Sequence, residues 1–112
     1  MQRDLGNALD IVLACRDIEE FVSGFSKVDF FNSKLTQDAV IRNIAVIGEA
    51  AKRLSEEFRN QHSEIPWKSI AGMRDHLIHA YDQVDLERVW HVATEEAPAL
   101  RRYLEPLLPP PE

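Results

Sequence analysis

Apolar residues recur three and four positions apart in four separate stretches of this 112-residue chain. That spacing puts them on one face of an α-helix, so each stretch predicts an amphipathic helix, and none reads as a strand. The first stretch ends near Gly24, and the segment after it is interpreted as a connection. Its apolar positions are Ala8, Ile11, Cys15, Ile18, Val22 and Phe25.

The second stretch predicts a single helix that begins between residues 32 and 38, where Asn, Ser and Thr side chains can cap it, and ends between residues 60 and 64. A glycine inside it, Gly48, costs about 1 kcal/mol relative to alanine. Close approach of another helix explains this glycine better than a tolerated imperfection does. The apolar positions are Val40, Ile44, Ile47, Ala51, Leu54 and Phe58.

Prolines mark the two remaining helices. Pro66 suits the first turn of a third helix, where its missing N–H costs nothing. The inner face of that helix would be formed by Trp67, Ile70, Met73 and Leu77. Asp85 is a natural N-cap for a fourth helix that extends to Leu107, and Pro98 inside this helix should kink or divide it.

Four or five helices joined by short connections favour an all-α fold, an antiparallel four- to five-helix bundle. The two longest apolar stripes are nearly heptad-like, and such a seam is often shared with a partner, so we expect a symmetric homodimer. Residues 1–108 are expected to form one helical domain, followed by a short proline-rich tail at 109–112.

Composition and charge limit the class of protein, its compartment and its partners. With 45% hydrophobic and 29% charged residues it is typical of a globular protein, and no apolar run approaches the roughly 20 residues that cross a membrane. The N-terminus shows no secretory signal, and the single cysteine, Cys15, has no internal disulfide partner, so we expect a cytoplasmic protein. The net charge of -6 argues against broad adhesion to nucleic-acid phosphates and leaves room for a basic partner protein.

The densest titratable segment is residues 72–85. On a regular helix Tyr81 comes back almost over Arg74, and Arg74 lies at the edge of the buried face, where a charge is costly unless it is paired or used. His79 lies about 140° round the helix from Arg74, with Asp75 one turn before it. The Arg74 and His79 side chains therefore converge only if the helix loosens near His79 or if a second subunit completes the site.

Arg74 and His79 together suit RNA cleavage without a metal or cofactor. A histidine can transfer a proton near neutral pH and a guanidinium can stabilise charge on a phosphoryl group, as attack by a 2′-hydroxyl requires. Residue chemistry alone favours the plainer alternative of a solvated surface or a structural ion pair. A zinc site at His76 and His79 is a weaker alternative, because no third histidine or cysteine pair is near. Its further ligand would be Asp75 or Asp82.

Several other reactive side chains have structural explanations. Cys15 lies in an apolar register, which favours buried packing over a nucleophile. Trp67 and Trp90 are expected to anchor the core and not to stack on bases. A set of charged residues on the second helix is expected to form a salt-linked solvent face, namely Arg42, Glu49, Arg53 and Glu56.

The pattern Arg74-Asp75-x-x-x-His79-x-Tyr81 resembles the motif of HepT-like proteins in the HEPN superfamily. In that motif an arginine is followed by a polar residue, three further residues, histidine, any residue and tyrosine. The segments at 39–58, 65–75 and 84–90 are also typical of the family, and the resemblance extends from about residue 37 to 108.

The resemblance implies a helical bundle that dimerises, with the arginine and histidine motifs of both protomers lining one cleft. Similar proteins are toxins that cleave RNA without a metal, which would make Arg74 and His79 catalytic, with Asp75 and His76 in support. Each is paired with a minimal nucleotidyltransferase antitoxin encoded alongside. The antitoxin can attach AMP to the motif tyrosine, here Tyr81, and added negative charge there would silence the arginine.

Three functions follow from these observations. The leading hypothesis is a metal-independent endoribonuclease toxin. The alternative is a non-catalytic helical partner, or substrate, of a minimal nucleotidyltransferase. A third reading, a purely structural dimerisation module, is the one that residue chemistry favours without the resemblance.

Overall fold

A computed structural model describes residues 2–79 and 83–110. Its α-helices are Gln2–Val22 (α1), Lys27–Phe31 (α2), Lys34–Arg53 (α3), Glu56–Gln61 (α4), Trp67–Ala71 (α5), Met73–Leu77 (α6), Leu86–His91 (α7) and Ala97–Leu104 (α8). A π-helical segment, Val92–Glu96, joins α7 to α8, and a 3-10 turn, Glu105–Leu107, follows α8. Two short strands, Ile78–His79 (β1) and Gln83–Val84 (β2), pair antiparallel.

The fold is all-α, as the apolar spacing predicted, and the four predicted stretches correspond to α1, to α3 with α4, to α5 with α6, and to α7 with α8. Two details differ. The segment interpreted as a connection contains α2, which a capping box between Ser26 and Asp29 starts. The β1–β2 pair was not predicted, because two-residue strands are too short to show an alternating pattern.

Helix α1 runs antiparallel to both α3 and α8. Its first turns lie beside the end of α3, where Asn7 Nδ2 donates to the backbone oxygen of Arg53 at 3.2 Å. Further along, Arg16 Nε donates to Glu105 at 3.0 Å. The fully buried side chains at the centre come from α1, α2, α3, α6, α7 and α8 and include Ile11, Ile18, Phe30, Ile44, Ile47, Leu77, Val89 and Leu104.

The second predicted helix is divided, which the sequence interpretation missed. Helix α3 ends at Arg53, Leu54 is extended with ψ 141°, and Ser55 caps α4 by accepting from the Phe58 N–H at 3.0 Å. The buried Asp4 carboxylate accepts from the Ser55 backbone N–H at 2.8 Å and from its hydroxyl at 2.7 Å. These bonds replace the helical pairing that the break removes.

Gly48 is the point where α3 and α5 come closest, which confirms the predicted close approach. A Cβ at Gly48 would lie 3.2 Å from the backbone oxygen of Ala71 and 3.4 Å from that of Ile70. A side chain there would therefore press on backbone atoms, which cannot move aside as a flexible side chain can. The short helix α5 sits directly on α3 because Gly48 has no side chain.

Pro98 divides the fourth helix, as predicted. Proline lacks the N–H that would continue the α-helical ladder. The chain adjusts by widening to the π-helical segment, where the Ala97 N–H bonds to the Val92 oxygen five residues back. Thr94 adds a side-chain bond to the Trp90 oxygen at 2.8 Å.

Among the helices that the structure describes, none combines the length and apolar character that crossing a membrane requires.

Replacing Gly48 by alanine should destabilise the fold, whereas the same change at Gly6 should stabilise it. Both glycines lie in helices, and alanine favours a helix by about 1 kcal/mol. Gly6 has open space around its Cα, but at Gly48 the clash with α5 should outweigh that gain, since overpacking costs about 1–3 kcal/mol. The measurement is the free energy of unfolding in urea. Equal stabilisation by both substitutions would show that α5 does not press on α3.

Asp4→Asn should lower the free energy of unfolding by about 1–2 kcal/mol at neutral pH. The Ser55 backbone N–H, and then its hydroxyl, lower the pKa of Asp4 below its ordinary 3.8, while burial opposes the shift. A lowered folded-state pKa gives stability that is present above the unfolded pKa and is lost as pH falls through the folded value.

The stability difference between wild type and Asp4→Asn should therefore shrink below about pH 4. Thermal unfolding at several pH values measures this difference. Asp10→Asn, an exposed site on the same helix, is the control and should show little effect. A pH-independent difference would contradict the assigned role of the ionised carboxylate.

Candidate functional site

Arg74 lies on α6 and points into solvent, with 55% of its side chain exposed. The prediction that it sits at the edge of the buried face was therefore wrong. That prediction assumed one helix from Ile70 onward, but the chain breaks at Gly72 and restarts at Met73. Met73 and Leu77, one turn apart, form the buried face of α6, so the residue after Met73 turns outward.

The helix that carries Arg74 ends at Leu77, two residues before His79. The chain then enters β1, and the Leu77 oxygen accepts from the Asp85 N–H at 2.9 Å, which closes the base of a hairpin. The 140° separation expected for a regular helix does not apply, because the helix ends before His79. The same break removes the helical argument for stacking Tyr81 over Arg74.

Part of the predicted site lies outside the described residues. The backbone of His79 is described and faces Gln83 across the strand pair, but its side chain and that of His76 are not. Tyr81 and Asp82 are outside the described residues entirely. The zinc alternative is likewise outside the described residues, because it needs the side chains of His76 and His79 together with Asp75 or Asp82.

Within the part of the chain that the structure describes, Arg74 has one loose ionic contact, with the neighbouring Asp75 at 3.9 Å from Nη1 to Oδ1. The Asp75 side chain is 82% exposed. Exposed pairs of this kind contribute little, at most about 1 kcal/mol, so an incoming anion can displace the carboxylate. Arg74 is thus an accessible cation on a short helix that leads straight into the His79 strand.

A groove lies beside the motif helix, between α5 and α6 on one side and the segment from α7 to α8 on the other. It contains two adjoining cavities, of about 300 Å³ and about 430 Å³, which share Pro66, Ile70, Met73 and Glu96. The smaller cavity is also lined by Ile47, Glu64, Ile65, Val92, Ala97, Ala99, Leu100 and Tyr103. The larger one extends to Ser69, Leu77, Asp85 and Arg88, at the base of the hairpin.

The charged residues in the larger cavity are paired with one another. Glu96 Oε2 lies 3.5 Å from Arg88 Nη2 and 3.4 Å from His91 Nε2. Asp85 caps α7 by accepting from the Arg88 N–H at 3.1 Å. The sequence pattern showed Asp85 only as a cap and did not reveal Arg88, His91 and Glu96. Arg88 and His91 are three residues apart, and Glu96, five residues after His91, comes beside them only through the π-helical turn.

A second titratable cluster stands at the far end of the groove. The Tyr103 hydroxyl lies 2.9 Å from His62 Nδ1, and Glu64 lines the same cavity as Tyr103. The backbone N–H of Glu64 and then the Tyr103 hydroxyl lower the pKa of Glu64. Desolvation, followed by the Glu64 carboxylate, raises the pKa of Tyr103.

Three side chains that were predicted to have structural roles pack in or on the core. Cys15 is buried, and desolvation raises the pKa of its thiol to about 12, so it is no nucleophile at neutral pH. Trp67 is in the core and donates from Nε1 to the His62 oxygen at 3.0 Å. Trp90 packs on the core with its ring centroid 5.3 Å from that of Phe30.

The charged face of the second helix is confirmed as exposed at all four predicted positions. The salt link recorded there joins Glu49 to Lys52 at 3.6 Å, and the predicted set had not included Lys52.

Comparison with known proteins gives a consistent result. The family described as "Ribonuclease HepT-like" matches residues 11–107. A protein of Thermococcus cleftensis named "Probable ribonuclease HepT" is 45% identical over 98 residues, which cover 88% of this chain and 89% of that protein. A protein of Caldanaerobacter subterraneus subsp. tengcongensis named "Putative RNase" is 41% identical over 98 residues, 88% of each chain.

The name of one longer relative includes a second activity. The Methanocaldococcus jannaschii protein named "Gamma-glutamylcyclotransferase and putative RNase" is 45% identical over 102 residues, 90% of this chain. The match spans 46% of that protein, so this chain corresponds to about half of it. No solved structure matches the chain. The family match covers nearly all of α1 to α8 and includes the Arg74–His79 segment, and the chain therefore belongs to the HepT-like ribonuclease family.

Proposed function

We propose that the protein is a metal-independent endoribonuclease that acts in the cytoplasm as the toxin of a toxin–antitoxin pair. The observation that carries the proposal is the placement of Arg74. Its guanidinium is exposed and, among the described side chains, contacts only Asp75 loosely at 3.9 Å, on a helix that ends just before the strand bearing His79. Phosphodiester cleavage by proton transfer needs an accessible cation and a histidine, and here the two are five residues apart in sequence.

The reaction requires one base, one acid and one cation. A base removes the proton of the 2′-hydroxyl, whose oxygen attacks the adjacent phosphorus. The bond from phosphorus to the 5′ oxygen breaks, and an acid protonates that leaving oxygen. The products are a 2′,3′-cyclic phosphate and a free 5′-hydroxyl. Arg74 stabilises the charge that builds up on the phosphoryl oxygens, and His79 supplies a proton-transfer group.

A second copy of the chain supplies the second proton-transfer group in this proposal. One imidazole cannot be both base and acid on opposite sides of the same phosphorus at one moment. A homodimer that places two Arg74–His79 segments in one cleft provides two histidines and two arginines. Asp75 and His76 support the pair from neighbouring positions.

Arg74→Ala and His79→Ala should each abolish cleavage of total cellular RNA in the presence of EDTA. Losing one histidine acid–base group costs about 10²–10⁴-fold in rate, and losing one charge-stabilising donor about 10²–10³-fold. The assay follows RNA fragments and the cyclic phosphate at their 3′ ends. Both variants should keep the helical circular dichroism of the wild type, since Arg74 is exposed.

Arg102→Ala is the matched control for this assay, because Arg102 is an exposed arginine on α8, away from the motif. It should cleave as the wild type does. If His79→Ala cleaves at the wild-type rate, the catalytic assignment is wrong. If the wild type cuts no RNA, the result favours the alternative of a non-catalytic partner.

The proposed antitoxin, a minimal nucleotidyltransferase encoded alongside, should transfer AMP from ATP to the Tyr81 hydroxyl oxygen and release pyrophosphate. Mass spectrometry of digested protein locates the added group, and Tyr81→Phe should not acquire it. The modified wild type should lose RNA cleavage, because a phosphate on Tyr81 adds negative charge close to the Arg74–His79 segment. Unmodified Tyr81→Phe should still cleave and should resist silencing. Modification without any change in cleavage would contradict the proposed regulation.

A further inference from the structure

The groove beside α6 has the size and lining of a binding site. Its smaller cavity of about 300 Å³ is lined mainly by apolar side chains from α3, α5, α6 and α8. Ligand sites in proteins are typically concave, about 300–1,000 Å³ in volume, and apolar with a few polar groups. Much of the lining, including Ile65, Met73 and Leu100, belongs to the core, so the site is built on rigid elements.

The charged side chains of the groove are mostly acidic. Glu64 and Glu96 line the smaller cavity together with the Tyr103 hydroxyl, and Asp85 lines the larger one. Among the described residues that line either cavity, the one basic side chain is Arg88, and Glu96 already faces it at 3.5 Å. The groove is therefore an apolar trough with a net negative rim.

This charge is unsuited to RNA and suited to a basic segment. Binding to a nucleic-acid backbone requires lysine or arginine to neutralise phosphates, and three carboxylates along the groove would repel them. The net charge of -6 acts in the same direction over longer distances, since it attracts cationic groups to the surface. The ionised form of Glu64 is favoured by its own backbone N–H and by Tyr103.

We propose that this groove, between α5–α6 and the π segment with α8, docks a segment of a partner protein that presents apolar side chains flanked by lysine or arginine. The apolar side chains enter the smaller cavity. The basic groups pair with Glu64 at one end and with Glu96 and Asp85 towards the other.

Docking in the groove would reach the catalytic segment directly. Met73 and Leu77 line the groove from one face of α6, and Arg74 projects from the same short helix. The Leu77 oxygen is bonded to the Asp85 N–H at the base of the hairpin. A partner seated there therefore contacts the elements that hold Arg74 and the His79 strand in place.

The test uses two synthetic helical peptides of equal length and identical leucine positions, one with lysine and one with glutamate at the polar positions. Binding of each labelled peptide to the full-length protein is measured by fluorescence anisotropy. The lysine peptide should bind at least about tenfold more tightly than the glutamate peptide, because its charges complement the rim. Methyl resonances of Met73 and Leu77 should shift on binding.

Two groove variants with matched controls separate specific docking from general attraction to an acidic protein. Ala99→Trp fills the smaller cavity from an exposed position and should weaken binding about tenfold or more, whereas Arg102→Trp on the same helix should not. Glu64→Gln should weaken binding about two- to fivefold, whereas Glu57→Gln, exposed on α4, should have a smaller effect.

Each other outcome overturns the proposal. Equal binding of both peptides, or an affinity that Ala99→Trp leaves unchanged, would show that the groove is not the docking site. If a single-stranded RNA oligonucleotide binds instead and Ala99→Trp removes that binding, the occupant is RNA. If Ala99→Trp changes only the sedimentation behaviour of the protein, the groove is covered by a second copy. The binding assay needs no RNA cleavage, so these results are independent of the proposed nuclease activity.

Discussion

The contact between α3 and α5 at Gly48 places the candidate site within the fold. Helix α3 packs against α1 on one side and against α5 and α6 on another, and the backbone oxygens of Ile70 and Ala71 rest where a Cβ would otherwise be. The chain turns at Gly72 directly after this contact and starts α6 with Met73 buried. Arg74 points outward because the chain turns at Gly72 and the preceding Met73 faces the core.

Helix α6 has two faces with opposite chemistry. Arg74 presents a cation to solvent, while Met73 and Leu77 close the side of a groove whose rim carries Glu96 and other carboxylates. The separation would suit an acidic protein that admits an anion at Arg74, because Glu96 and Asp85 lie on the groove side and Asp75 is only loosely paired with Arg74. It also means that a ligand in the groove and a substrate at Arg74 would share one five-residue helix.

The interruptions of the helices differ in how far sequence could reveal them. The break in the fourth helix could be predicted from Pro98 alone, since proline lacks the backbone N–H that continues a helix. The break at Leu54 could have been suspected from Ser55 followed by Glu56 and Glu57, a common helix start. The sequence could not reveal that Asp4 stabilises this break, because the Asp4 carboxylate lies 51 residues from Ser55 along the chain.

By itself the sequence determined the all-α class, the four amphipathic stretches, the role of Gly48 and the family motif, because each is written in local spacing or in single residue types. Tertiary structure decided which side chains of α6 face the core. The break at Gly72 rotates every later side chain relative to a continuous helix, and Arg74 is exposed as a result. Tertiary structure also decided the groove, along which Glu64, Asp85 and Glu96 come to line one surface because α5 and α6 lie opposite the segment from α7 to α8. Periodicity describes one helix at a time, whereas exposure and charge clustering depend on which helices are neighbours.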